Sequence, residues 1–188
     1  MTVERGSPED RRARFDAQVL PHLDAAYRFA RRLARAPADA DDVVQEAMLR
    51  AFRGLDGLRG GDVKSWLFAI VRNCYLTALA EQRRSGFVTL PEETQPHDGT
   101  AIVSAAPGPE CLSMRRDEER DLERLLGDLP PDHREVLILR ELEELDYREI
   151  AAVIQVPIGT VMSRLARARA ALKGRWLRER EEERNAVR

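Results

Sequence analysis

Between Ser85 and Glu110 the sequence loses its helical periodicity and collects Gly86, Pro91, Pro96, Gly99, Pro107, Gly108 and Pro109. A stretch with so many fixed and unconstrained backbone positions neither continues a helix nor holds a sheet ladder, so the chain is expected to fold as two units joined by a linker. The linker also carries Glu92, Glu93, Asp98 and Glu110 and no Lys or Arg, which reads as a solvated acidic tether. On both sides of it apolar residues recur every three or four positions, aromatics are only 5%, and alternating β-branched runs are scarce. Both units are therefore expected to be all-α, each with a modest core.

The first unit, residues 15–84, reads as three helices. Phe15 to Arg35 is one, bent or restarted at Pro21 and closed before Ala36-Pro37. Asp39 then offers an N-cap, and Val44, Ala47, Met48, Ala51 and Leu55 form a single apolar stripe. After Gly54, Gly57, Gly60 and Gly61 break the chain, a longer helix is expected from about Asp62 to Arg84, with Leu67, Ile70, Val71, Cys74 and Ala78 facing inward. Cys74 falls on that stripe as a small hydrophobe.

The second unit, residues 117–174, starts with helices over Asp117 to Leu126 and Pro131 to Leu142 and is divided by charge. From Asp117 to Glu149 there are 13 acidic residues and 5 Arg, whereas Gln155 to Arg178 holds six basic residues and no acid. The change coincides with a motif at about residues 146–169. Asp146 precedes Glu149 by three positions in a capping-box spacing, Ile150, Val153 and Ile154 supply a short apolar face, and Gln155-Val156-Pro157 ends the helix. Ile158-Gly159-Thr160 opens another helix, completing a helix-turn-helix pattern. On the second helix Val161, Leu165, Ala168 and Leu172 share a stripe, and Gly159, Ser163, Ala166, Arg167 and Ala170 lie opposite. Small residues there let the backbone approach a groove floor, while Ser163 and Arg167 reach base edges or phosphates. Arg164, Arg169 and Lys173 flank that face, where the phosphate walls would run. The pattern points to DNA binding. Residues 175–188 form a charged tail expected to fray.

Several classes are not supported. His22, His97 and His133 share no metal-ligand spacing with each other or with Cys74 and Cys111, and no phosphate-binding glycine loop or nucleophile elbow occurs, so neither catalytic residues nor a metal or cofactor are expected. The two cysteines read as free thiols. The longest apolar run, Trp66 to Val71, is far shorter than a membrane span needs, and residues 1–12 lack the apolar core of a secretion signal. The expectation is a cytoplasmic protein with no membrane insertion.

Two segments together resemble bacterial RNA polymerase sigma factors of the extracytoplasmic-function (ECF) group. The first is DADDVVQEAMLRAF, Asp39 to Phe52, followed by WLFAIVRN, Trp66 to Asn73; the second is Leu129 to Leu172, which holds the helix-turn-helix. The resemblance implies a region 2 domain over 15–84, a linker over 85–116 and a region 4 domain over 117–174. It implies that Asp42, Gln45, Glu46 and Arg50 grip core RNA polymerase. Arg59, Lys64, Trp66, Arg72 and Asn73 would engage the minus-ten promoter element, with the loop from Leu58 to Lys64 receiving a flipped-out base. Thr160, Met162, Ser163, Arg164, Ala166 and Arg167 would meet the minus-thirty-five element. Met162 stands where relatives often carry Lys or Arg, and Thr77 where Asp is frequent. The resemblance further implies promoter DNA and an anti-sigma factor as partners, a linker threading the polymerase channels, and no enzymatic activity of its own. A stand-alone helix-turn-helix regulator and a sigma mimic that binds an anti-sigma factor are the competing readings.

Overall fold

A computed structural model of the chain describes residues 8–34, 37–58, 60–84 and 124–186. Arg59, Arg35, Cys111, the linker and most of the helix expected from Asp117 lie outside the described residues.

The first unit is built from four helices: α1 (Pro8–Gln18), α2 (Leu23–Leu33), α3 (Pro37–Gly54) and α4 (Val63–Arg84). The single helix expected from Phe15 to Arg35 is divided in two. Pro21 supplies no backbone N–H, and a 3-10 turn at Leu20–His22 joins the pieces. Helix α1 also begins at Pro8, earlier than expected. It buries Phe15, which meets the Phe52 ring edge-on with centroids 5.3 Å apart, and Arg11 and Arg14 pair with Asp56. Helix α3 starts at Pro37 rather than after an Asp39 cap, since proline suits a first helical turn whose N–H groups have no partner anyway. Asp39 instead sits in the first turn and accepts a hydrogen bond from Gln82 Nε2. Asp62 caps α4 by accepting from the backbone N–H of Ser65 at 2.6 Å and its hydroxyl at 2.8 Å. Burial alone would raise the Asp62 pKa, but these Ser65 hydrogen bonds outweigh it and hold the carboxyl below its ordinary value. The core packs Phe29 on Phe68, rings stacked at 5.1 Å, with Val44, Ala47, Ala51, Leu55, Leu67 and Val71 around them. Cys74 lies in this core, and burial pushes its thiol pKa up.

The second unit holds α5 (Pro131–Leu137), α6 (Tyr147–Ile154) and α7 (Ile158–Ala186), with residues 124–127 also helical. Helix α5 does not run to Leu142 as an α-helix; Ile138–Leu142 widens into a π-turn, closed by the Glu143 N–H donating to the Ile138 carbonyl. The Asp146 capping box forms in full and fixes the start of α6. Gln155 takes the left-handed conformation at φ 56° and ends the helix. The chain then turns so that α6 and α7 meet at 100°, the angle of a helix-turn-helix and not of a straight span. Among the described residues no single helix is long and apolar enough to cross a membrane. The tail departs from expectation: α7 is continuous to Ala186, with Arg180 4.4 Å from the Trp176 ring centroid one turn back.

Candidate nucleic-acid interface

The geometry of α7 follows from its apolar stripe. Val161, Leu165 and Ala168 are buried against α5 and α6, so residues half a turn away must face outward. Gly159, Met162, Ser163, Ala166, Arg167 and Ala170 are all exposed, and Thr160 is half-buried. The Ser163 hydroxyl donates to the Thr160 carbonyl at 3.0 Å and is free to exchange that bond for one to a ligand. A Cβ placed on Gly159 would meet nothing, so the face is open as well as flat. The flanking cations are held differently from the expected phosphate wall. Arg164 pairs with Asp132 at 2.7 Å, Arg169 with Glu141 at 2.6 Å and Arg175 with Asp128 at 2.5 Å, each tie running back to α5 or its neighbouring turns. Half-exposed pairs of this kind are weak and exchange readily for phosphate.

Helix α4 presents a second set. Lys64, Phe68 and Arg72 recur every four residues and form one ridge. That ridge turns toward the second unit. Lys64 Nζ donates to the Glu143 carbonyl at 2.5 Å and lies 3.7 Å from Glu143 Oε2, while Arg72 Nε donates to Glu135 Oε1 at 2.5 Å. Arg28 and Arg32 of α2 reach Glu143 Oε1 at 3.8 and 3.7 Å, ion-pair distances too long for hydrogen bonds. The Glu143 side chain is only 1% exposed. Burial pushes the Glu143 and Glu135 pKa values up; Arg28, Lys64 and Arg32 offset part of this for Glu143, and Arg72 part of it for Glu135. Asn73 and Thr77 are exposed on the side of α4 away from Lys64, with the Thr77 hydroxyl donating to the Asn73 carbonyl. Trp66 is half-buried on another side of α4, where its ring comes within 3.5 Å of where a Gly54 Cβ would stand. The structure therefore separates the set: Lys64 and Arg72 share a ridge, Trp66 and Asn73, seven residues apart, share another side of α4, and Arg59 is outside the described residues. Gly60 and Gly61 hold φ of 68° and 100°, conformations that favour glycine and turn the loop into α4.

A third surface lies on α3, where Asp42, Gln45 and Arg50 are exposed and Glu46 is half-buried, accepting from Arg50 Nε at 2.7 Å. That contact raises the Arg50 pKa. Leu49 stands among them 47% exposed, an apolar contact absent from the sequence-derived set. Its signal is positional: it lies outside the stripe of Val44, Ala47, Met48 and Ala51 and one turn after Gln45. Another feature missed from sequence is a groove of about 450 Å³ lined by Leu125, Leu137, Leu172 and Trp176. Among the described residues no group of three or more acids, histidines or cysteines is placed to hold a metal ion.

Two family models match the chain: Sigma-70 region 2 over residues 19–85 and Sigma-70, region 4 over residues 119–172. Among curated relatives, the chain is 35% identical over 159 residues to the ECF RNA polymerase sigma factor SigE of Mycolicibacterium smegmatis, covering 85% of this chain and 60% of that protein. It is 35% identical over 174 residues to the RNA polymerase sigma-H factor of Pseudomonas aeruginosa, covering 90% and 89% of the two. The fold matches that of the sigma factor RpoE from Bartonella quintana, solved with the anti-sigma factor NepR, with a TM-score of 0.70 and 27% identity over 85% of this chain and 94% of that one.

Proposed function

The chain belongs to the sigma-70 family, within its ECF group, and from that membership we propose the following division of labour for a non-enzymatic transcription initiation factor that directs RNA polymerase to promoters. Residues 15–84 bind core polymerase and the minus-ten element, residues 117–174 bind the minus-thirty-five element, and the segment between tethers them. The observation that carries the reading is the α6–α7 pair: two helices at 100° whose second member turns an exposed face of small residues, Ser163 and Arg167 away from the core.

On that face Gly159 and Ala166 set the approach distance, Ser163 and Arg167 read base edges, and Thr160 and Met162 border them. Arg164 leaves Asp132 for phosphate when DNA arrives. On α3, Asp42, Gln45 and Glu46 with Arg50 and Leu49 form a mixed acidic and apolar surface suited to a basic helix on the polymerase. On α4, Lys64, Arg72 and Asn73 hold the opened strand, with Trp66 and Arg59 at its loop end. Each unit offers a small contact area, so specific binding depends on the polymerase presenting both together. The work takes place in the cytoplasm, where promoter and polymerase are. RpoE in the Bartonella structure is complexed with an anti-sigma factor, and this chain is proposed to take a partner of the same class.

Reconstitution with core polymerase tests the proposal. Transcripts should start at discrete chromosomal sites. Arg167→Ala should weaken use of promoters through the upstream element about tenfold while leaving core association intact, and Glu46→Ala should impair core association first. Tight, specific promoter binding without polymerase would favour a stand-alone regulator, and the absence of transcripts from every chromosomal fragment would overturn the reading.

A further inference from the structure

Residues four apart on a helix form one ridge, and the outward side of α7 carries two such ridges of different chemistry. Gly159, Ser163 and Arg167 make the polar one. Ile158, Met162, Ala166 and Ala170 make the other, which has no charge and no side-chain N–H or O–H. All four are exposed, Ile158 at 41% and Met162 at 54%. Val161, Leu165 and Ala168 already fill the buried stripe on the opposite side, so packing within the unit does not account for a large apolar pair at the start of the helix. Positive charge frames the ridge. Arg169 and Lys173 continue its edge toward the C-terminus, Arg164 stands across the polar ridge, and no acid occurs from Gln155 to Arg178. An apolar strip bordered by cations complements a polyanion that displays methyl groups. The major groove of duplex DNA is such a surface, because thymine alone places a C5-methyl on its floor, between the phosphate walls.

We propose, resting on the assignment of α7 to the upstream element, that the Ile158–Met162–Ala166 ridge reads thymine methyl groups there, as a second reader beside Ser163 and Arg167. The first residues of a recognition helix are the ones that reach base edges, and Ile158 and Met162 occupy the first two turns of α7. Ile158 is branched and stiff, whereas Met162 is unbranched and adaptable, so the pair combines one fixed wall with one that settles onto the methyl. Ala166 keeps the end of the ridge low enough for the helix to stay close to the bases. Hydrogen bonds from Ser163 and Arg167 do not distinguish thymine from uracil, since the two bases differ only at C5; the apolar ridge does. Selectivity for A·T pairs is then obtained by burying apolar area, and the strand that carries the methyl sets which way round each pair is preferred.

Holoenzyme assembled from core polymerase and the full chain is footprinted and titrated on a promoter taken from its own chromosomal start sites. Each thymine of the upstream element is replaced in turn by deoxyuridine, which removes the methyl and keeps every hydrogen-bonding group. At one or two positions this should weaken binding about fourfold, the effect of one buried methyl, while deoxyuridine in the spacer should change nothing. Met162→Ala and Ile158→Ala, both at exposed positions, should each weaken binding to the thymine promoter by a similar factor and lose the response to deoxyuridine at one position. Ser163→Ala should also weaken binding but keep that response. Full deoxyuridine sensitivity in both ridge variants overturns the assignment to the ridge. Deoxyuridine that is neutral at every upstream position, or an upstream element without A·T pairs, overturns methyl reading while a protected upstream element leaves the placement of α7 standing. Ridge variants that bind every promoter as the parent does assign the ridge to a protein partner and overturn the proposal. Absence of any upstream protection in the parent holoenzyme marks a different failure, that of placing α7 on this element at all.

Discussion

On α7 the face from Gly159 to Ala170 is bare, and its flanking arginines are tied back to acids of their own unit; on α4 the ridge from Lys64 to Arg72 is covered by carboxylates of the other unit. If it takes duplex DNA as proposed, the first surface can do so without rearrangement, since exposed pairs such as Arg169 with Glu141 yield to phosphate at little cost. The second surface becomes available once its cover leaves. Under the proposed division of labour, the difference follows the order in which the two promoter elements change state, with the upstream element read as an intact duplex and the downstream strand unpaired first.

The comparison breaks most sharply on α7. Ala166→Glu sets a carboxylate on the bare face against the groove floor and should weaken binding to the upstream element by about a hundredfold, or 2 to 3 kcal/mol. Footprinting of the holoenzyme checks this, and the compactness of the free chain should not change. A smaller effect is expected from Asp146→Ala, which removes the acceptor for the Arg148 and Glu149 N–H groups at the start of α6. It should cost the second unit about 1 kcal/mol, read as a lower thermal midpoint, and should affect both surfaces because α6 supports α7 and also covers α4.

The smallest effect concerns pH and belongs to α4. Burial raises the Glu143 pKa against Arg28, Lys64 and Arg32, and raises the Glu135 pKa against Arg72 with Asp132 and Arg164 nearby. In the closed chain both carboxyls hold a proton more readily than when solvated. Closure therefore has its full proton-linked stability below the ordinary glutamate value of about 4.3 and loses it as pH rises through the raised values. Scattering should show the chain compacting modestly as pH falls from 7 toward about 5, and the response should vanish in Glu135→Gln/Glu143→Gln. An expansion over the same range would mean that the cations outweigh burial.

The helix-turn-helix was legible because its signals are local. Asp146 and Glu149 stand at capping spacing, Pro157 follows the turn, and the stripe from Val161 to Leu172 fixes which side of α7 is bare. Helix α1 gave less because its buried anchor, Phe15, has no apolar companion one turn earlier, where Arg11 and Arg12 stand, and the Asp56 that holds Arg11 and Arg14 is remote in sequence. Asp39 satisfied a capping rule, yet Pro37 opened the helix earlier, two local preferences competing within one turn. The covering of α4 had no sequence signature. Glu135 and Glu143 are two of 13 acids between Asp117 and Glu149, and only tertiary packing distinguishes them from the solvated rest. Helical phase was available from the sequence, and it divides the residues that the resemblance implies for the minus-ten element: Lys64 and Arg72 fall on one side of α4, Trp66 and Asn73 on another.

The π-turn at Ile138–Leu142 holds one residue more than an ordinary helical turn. That surplus residue shifts the angular phase of everything downstream by about 100°, and Glu143 is the next residue along. Where the carboxylate ends up is therefore a matter of winding count as much as of chemical identity. A homologue that kept every acid but lost one position in this bulge would aim its glutamate past the first unit, so that a single-codon deletion, with no change of charge, is enough to take the carboxylate away from Arg28, Arg32 and Lys64.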